Sequence, residues 1–325
     1  MSAWPINWRA LVAEAIRRRK SEGLTQRSLA ALAGVSAPTV NAFEQGAINL
    51  RFERIVAILE ALGLFVLPGR SDDLATFIET ARARWRDLVD ELPENDPSRQ
   101  PHGHSEQAYA IDVPDGDLPS LQALRRLLAE APRAQGWSPF RLPLKQPVKP
   151  AIREGVVEYW LGKTASDRGF SDAAHSDFWQ VSRQAQAYLQ RGLQEDGADF
   201  EPGLIFDVAL PVTRTAEVLR HAVWLANQIK ADGTVQIRFA ARYTGLAGRE
   251  LLAWSRPALR DLISDRHRAR ADSVDLTYTT SLSALEANLP KIVHDALRPL
   301  YERFDGFVLP FHVVETIVRT TASTA

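Results

Sequence analysis

The stretch LTQRSLAALAGVSAPTVNAFEQG, residues 24–46, encodes two short helices and the turn between them. Thr25 is a suitable N-cap for a helix from Gln26 to Ala33, whose Leu29 and Leu32 share one inward face. Gly34 can take the left-handed backbone that a sharp inter-helix turn demands, and Val35 gives that turn an apolar plug. Ser36 caps a following helix from Ala37 to Gln45, with Val40 and Phe43 facing inward and Ala37, Pro38, Asn41 and Gln45 left outside. Pro38 falls in the first turn, where a missing N–H is tolerated, and Gly46 closes the helix.

Outward from this stretch the helical period continues on both sides. Upstream, Leu11, Val12, Ala15 and Ile16 mark a helix from Trp8 to Lys20, closed by cations that complement its carboxyl-end dipole. Downstream, Phe52, Ile55, Val56, Leu59 and Leu62 predict a fourth helix. The net charge is −1, so any affinity for phosphate has to be local. A basic patch of this kind is formed by Arg9, Arg17, Arg18, Arg19, Lys20, Arg27, Arg51 and Arg54, against Glu14, Glu22, Glu44 and Glu53.

With RFERIVAILEALGL, residues 51–64, these elements resemble the Cro and phage-repressor (XRE) helix-turn-helix family. The resemblance rests on Gln26, Ala30, Gly34, Val35, Val40 and the Phe43-Glu44-x-Gly46 ending, and covers Trp8 to Leu67. It implies an all-α, lambda-repressor-like domain whose third helix enters the major groove of double-stranded DNA while the second crosses the backbone. Carried over, Ala37, Pro38, Asn41 and Ala42 face bases, and Gln26, Asn49 and Arg51 hold phosphates. Arg27, Ser36, Thr39 and Gln45 complete the expected contact set. Ala37 and Pro38 depart from the family, which often places Gln or another long polar side chain there. Readout therefore leans on Asn41, on thymine methyl groups, on groove shape or on Arg27. The resemblance further implies a transcriptional regulator, a repressor, binding an inverted-repeat operator as a homodimer. A unit of this kind can also merely pack or recruit a protein; the basic patch and the polar outer face favour DNA.

At 325 residues the chain needs at least one further core. The expected organisation is a helix-turn-helix domain over 1–70, a connecting or dimerisation helix over 71–92, a linker region with one helix over 93–150, and an α+β effector or dimerisation domain over 151–325. The connecting helix, Asp73 to Leu92, carries Leu74, Phe77, Ile78, Ala81, Trp85, Leu88 and Val89 on one stripe, and either extends the first domain or pairs two chains. Pro93 to Ser105 reads as a linker, in which His102 and His104 lack the further partners a metal would need. A helix from Leu118 to Ala131 precedes a proline-rich stretch, Pro132 to Pro150. Beyond it, Ser176 to Leu193 and Thr215 to Lys230 read as helices, and Leu204 to Val212, Thr234 to Thr244 and Val274 to Thr280 as strands. The alternation of Val235, Ile237, Phe239 and Ala241 with polar neighbours predicts a mostly antiparallel sheet with helices on one side. A helix beginning near Pro290 and disturbed at Pro299 lies in LEANLPKIVHDALRPLYERFDGFVLP, residues 285–310, which resembles the carboxyl-terminal region of bacterial Schlafen-type AlbA_2-domain proteins. That resemblance spans about the last fifty residues and implies a shared accessory module without the ATP-binding motifs.

No phosphate-cradling glycine loop, serine elbow or zinc-protease motif occurs, so no enzyme, cofactor or metal is expected. Gly245-Leu-Ala-Gly248-Arg249 reads as a turn, and His175, His221, His267, His294 and His312 are scattered without ligand spacing. Tyr159, Trp160, Trp179, Tyr188, Trp224, Phe239, Tyr243 and Trp254 are expected in the core. The run Arg256, Arg260, Arg266, His267, Arg268 and Arg270 reads as a solvated loop paired with Asp261, Asp265 and Asp272. With no cysteine, disulfides and cysteine-ligated centres are excluded. No secretory leader or membrane helix is legible, and a cytoplasmic location is expected. Beside the repressor stands an antitoxin-like or defence-associated protein that restrains a partner and autoregulates its operon. In either case the effector of the second domain is a small molecule, a nucleic acid or a protein.

Overall fold

The computed structural model describes residues 7–65, 74–113, 119–132, 138–140, 151–153, 155–161, 176–197, 200–263 and 265–322. Leu67, Asp73, Leu118, His175 and most of Pro132–Pro150 lie outside them. Four helices come first: α1 (Trp8–Ser21), α2 (Gln26–Leu32), α3 (Ala37–Glu44) and α4 (Phe52–Ala61). They close on a core of their own that includes Val12, Ala15, Leu29, Val40, Phe43, Ile58 and Leu62. The expected caps form: the Thr25 and Ser36 hydroxyls accept the Ser28 and Thr39 amides at 3.0 and 3.4 Å. Phe52 departs from the expected helical stripe and stands exposed.

An α+β region with a seven-stranded antiparallel sheet follows, ordered β2 (Ala151–Arg153), β3 (Val156–Trp160), β4 (Asp177–Ser182), β5 (Gln186–Gly192), β1 (His104–Ile111), β7 (Gln236–Tyr243), β9 (Val274–Ser281). A separate parallel pair joins β6 (Ile205–Asp207) to β8 (Glu250–Leu252). The large sheet is covered on one face by α6 (Leu121–Glu130), α7 (Leu210–Gln228) and α8 (Leu282–Tyr301), with α9 (Phe311–Ala322) packed on α7 and α8. On the other face α5 (Leu74–Asp90) seats Leu74, Phe77, Ala81 and Val89 on Ala108, Ala110, Trp160, Phe178 and Tyr188. Helices thus cover both faces, not one, because β4, β5 and β1 are buried on both sides.

Several sequence expectations are corrected here. Ser176–Leu193 is a β-hairpin and not a helix, turning through Arg183, Gln184 and Ala185. Ala185 has φ +54°, the left-handed position that three-residue hairpins usually give to glycine. The linker reading of Pro93–Ser105 ends at His104, which opens the interior strand β1, paired with β5 and β7. The expected strand Leu204–Val212 shrinks to β6, since Asp207 ends it by accepting the Ala209 and Leu210 amides at 2.8 and 2.7 Å and so starting α7. The last long helix begins at Leu282, capped by Ser281, and Pro290 marks a kink at Asn288 rather than a start.

The four-helix region is fastened to the α+β region by polar contacts. The Ser120 hydroxyl, at the head of α6, donates to the Glu22 carboxylate at 2.7 Å, and Arg126 donates to the Glu22 carbonyl at 2.8 Å. Arg183, at the tip of the β4–β5 hairpin, donates to the carbonyls of Glu60 at 2.7 Å and Pro119 at 3.0 Å.

Candidate nucleic-acid interface

The turn between α2 and α3 depends on Gly34 at φ +64°, after which the Val35 amide returns to the Ala30 carbonyl at 3.0 Å. Val35 packs half-buried on the core and fixes the angle at which α3 leaves. At the far end of α3, Trp8 meets Phe43 edge-on with ring centroids 5.5 Å apart, and its indole N–H donates to the Gly46 carbonyl at 3.0 Å. Both ends of α3 are held from within, which leaves its outer face to solvent.

One ion-paired clamp joins three helices beneath that face. Arg19 of α1 grips Glu44 of α3 through two nitrogens and also donates to the Leu24 carbonyl at 2.7 Å. Gln26 of α2 donates to the same carboxylate at 2.8 Å. Burial pushes the Glu44 carboxyl up, but the hydrogen bonds from Arg19 and Gln26 and the charge of Arg19 outweigh it, so the group stays below its ordinary range. Gln26, expected on phosphate, is therefore half-buried and engaged in holding α2 to α3.

The remaining expected contact residues divide by accessibility. Arg27, Ser36, Pro38, Asn41, Gln45, Asn49 and Arg51 are exposed. Pro38, Asn41 and Gln45 share one face of α3, while Ala42 is half-buried and Ala37 packs partly on the core. Thr39 is placed differently from these: it is 6% exposed, and its hydroxyl lies 2.8 Å from the Ser36 hydroxyl within the cap. Of the basic patch, Arg17, Arg18 and Arg19 are engaged with Glu14, Glu22 and Glu44. Among the described residues no carboxylate lies within ion-pair distance of Arg9, Lys20, Arg27, Arg51 or Arg54. These five are exposed. The reading of residues missed Ile48, which is 85% exposed beside Asn49; its place in an apolar-polar loop gives no periodic signal.

The α+β region shows a different chemistry. Arg249 is wholly buried, paired with Asp196 at 2.6 Å and donating to the carbonyls of His102 and Ile205 at 2.7 and 2.8 Å. The expected turn before it forms, with Gly245 and Gly248 both at positive φ. Asp207 accepts amides from Trp254 and Ser255 as well as from the start of α7. The arginine-rich run pairs with Glu250 and Asp305 rather than with the acidic neighbours expected from sequence. Burial keeps His221 neutral, lowering it to about 3, while Tyr109 holds its Nδ1 at 2.7 Å. Among the described residues no group of three His, Asp or Glu side chains is placed to hold a metal ion. None of their helices is long and apolar enough to cross a membrane.

A capped, glycine-turned pair of helices presenting a polar face among unpaired cations defines a helix-turn-helix unit, here carried on an α+β region. More particularly, residues 16–64 match the model of a helix-turn-helix family, of the Cro and C1 type. That match makes the first region one of the kind found in DNA-binding regulators. No curated protein matches the chain.

Proposed function

We propose that the chain is a sequence-specific transcriptional regulator that binds an inverted-repeat operator as a dimeric repressor, its α+β region serving dimerisation, sensing or both rather than catalysis. The observation that carries this reading is the outer face of α3: Pro38, Asn41 and Gln45 stand exposed, in a region that also exposes Arg27 and Arg51, which have no carboxylate partner among the described residues. Exposed cations of that kind anchor phosphates, and an amide in the groove reads an adenine edge. Footprinting on the chain's own promoter at physiological salt tests the proposal. Two protected half-sites about 34–36 Å apart are expected. Binding that is indifferent to sequence overturns it.

A further inference from the structure

The sheet face beneath α5 changes character along its length. Toward one end it is apolar, with Trp160, Phe178 and Tyr188. Toward the hairpin tips it opens into a cavity of about 180 Å³ whose lining mixes apolar surface, including Phe77 and Val156, with polar side chains. Four of these, Glu158, Gln180, Ser182 and Gln186, are between 3 and 5% exposed. Buried polar groups need partners, and these largely find them in one another, so what the cavity offers a ligand lies in the groups left over. The Glu158 carboxylate is already satisfied by Arg84 and by Gln180 at 2.8 Å. What is left over includes one cation: among the described residues Arg153 and Gln184 have no side-chain partner, so Arg153 offers donors and Gln184 an amide that can donate and accept, and the Gln186 amide nitrogen has none beyond the Ser182 contact on its oxygen. The Thr76 hydroxyl adds a further donor at the rim. One water needs only about 10–15 Å³, whereas pockets for drug-sized ligands start at about 300 Å³, which sizes the occupant near a monosaccharide.

We infer that this cavity is the effector site of the proposed regulator, and that it takes a small acidic polyol, a sugar acid or a sugar phosphate, whose anionic group meets Arg153. This inference rests on the regulator reading given above. The cavity is joined to the DNA-binding unit through Arg183, and through Ile152, which precedes Arg153 and packs on the four-helix core. Ser182 and Gln184 line it and bracket Arg183, whose amide donates to the carbonyl of Gly155, another lining residue, at 3.3 Å. The Arg183 side chain, 3% exposed, reaches the end of α4 through the Glu60 carbonyl. A ligand held by Gln184 and Gln186 therefore acts on the hairpin turn that carries the contact to the four-helix region.

Calorimetric titration of the full chain with glucose 6-phosphate and with gluconate tests the site, with glucose and inorganic phosphate as comparisons. Saturable binding of at least one acidic polyol is expected, ten times or more tighter than glucose or inorganic phosphate. Arg153→Ala, on an exposed position of an edge strand, weakens it tenfold or more, and Gln184→Ala about fivefold. Arg183→Gln leaves ligand affinity unchanged and removes the ligand's effect on operator binding measured by anisotropy. The inference is overturned if neither acidic polyol gives saturable heat at millimolar concentration, if inorganic phosphate binds as tightly, or if Arg153→Ala changes nothing. Operator binding without ligand heat sinks the site alone, while ligand heat without sequence-specific DNA binding sinks the regulator reading and leaves the site standing.

Discussion

In the four-helix region Arg9, Arg27, Arg51 and Arg54 stand exposed with no carboxylate at ion-pair distance among the described residues, whereas in the α+β region Arg82, Arg84, Arg191 and Arg249 each close on a carboxylate at or below the surface. The same side chain thus serves two physical purposes. An exposed guanidinium keeps its hydration and remains available to an outside anion. A buried one has surrendered its water and stays only because its partner and several carbonyls replace it. Arg19 is the instructive exception in the first region, since its pairing with Glu44 fixes the helices that display the unpaired cations.

The sharpest way to break this contrast is to remove one cation from each region. Arg249→Ala leaves Asp196, 3% exposed at its side chain, as an unpaired buried charge, and strands the carbonyls of His102 and Ile205. A loss of about 3–5 kcal/mol is expected in denaturant unfolding, enough to threaten folding altogether. Arg27→Ala should stay within about 0.5 kcal/mol of the parent. Equal unfolding midpoints for the two variants would show that burial has not divided the arginines as described.

Carboxyl groups sharpen the comparison through pH. Burial, followed in smaller degree by the neighbouring Asp207 charge, pushes Glu195 up to about 7, against the amides of Asp207 and Glu195 and the charge of Arg249. The folded chain then holds a proton that the unfolded chain, with its ordinary carboxyl near 4.5, gives up earlier. The favourable contribution is complete below about pH 4.5 and is lost as pH rises through about 7, at 1.36 kcal/mol per unit or about 3 kcal/mol in all. Glu195→Gln should therefore raise the melting temperature at pH 8 and change little at pH 5. Glu44 has the opposite sign: its lowered folded value gives stability above the ordinary carboxyl range that is lost as pH falls, so Glu44→Gln costs most at neutral pH. In melts from pH 3 to pH 8, Glu44→Gln should become costly as pH rises through the ordinary carboxyl range, and Glu195→Gln should become favourable only toward pH 7 and above; shifts of the same sign in both variants would refute the assignment.

The two regions also differ in how far their sequences could be read. In the first, the deciding signals are local: Thr25 and Ser36 cap the helices they precede, and Gly34 makes the turn beside them. In the second, the hairpin β4–β5 hides because its turn carries Ala185 where glycine would announce it. Phe178-Trp179 and Tyr188-Leu189 put apolar residues on both faces and erase the period of two. β7 was legible because its burial alternates along Gln236–Tyr243. The candidate interface was readable as a surface but not residue by residue. Gln26 looks like a phosphate ligand until Glu44, eighteen positions away, is seen to occupy it. Thr39 looks exposed until its hydroxyl is found inside the Ser36 cap. Arg249 finds Asp196 fifty-three positions upstream, a pairing no local pattern encodes.

On the exposed side of the contrast, Asn41→Ala removes the one amide at the middle of the α3 face. The expected result is a loss of about 1–3 kcal/mol of discrimination at a single base-pair position, with other positions unmoved, read from binding to a panel of single-substitution operators. A uniform loss across the panel would place Asn41 on the backbone instead of a base. Asn41 lies 3.5 Å from the Gln26 amide, so its rotamer is set partly by the clamp beneath it. Gln26→Ala should accordingly blur the same position while leaving the phosphate anchors in place.

The smallest effect on the molecule itself is expected from Arg51→Ala. The side chain caps nothing and has no carboxylate partner among the described residues, so unfolding should shift by less than about 0.5 kcal/mol. Its effect should appear only with DNA present, as a loss common to every sequence. One fewer phosphate contact releases one fewer set of counterions, and the slope of log K against log salt should fall in magnitude by about 0.9. Salt dependence separates this outcome from the loss of a base contact, which lowers affinity at one position and leaves the slope alone. An unchanged slope would mean that the unpaired cations of the four-helix region do not face phosphate. Their exposure would then be no different in kind from that of Arg266 or Arg270 on the loop of the α+β region, where Glu250 and Asp305 already answer the charge.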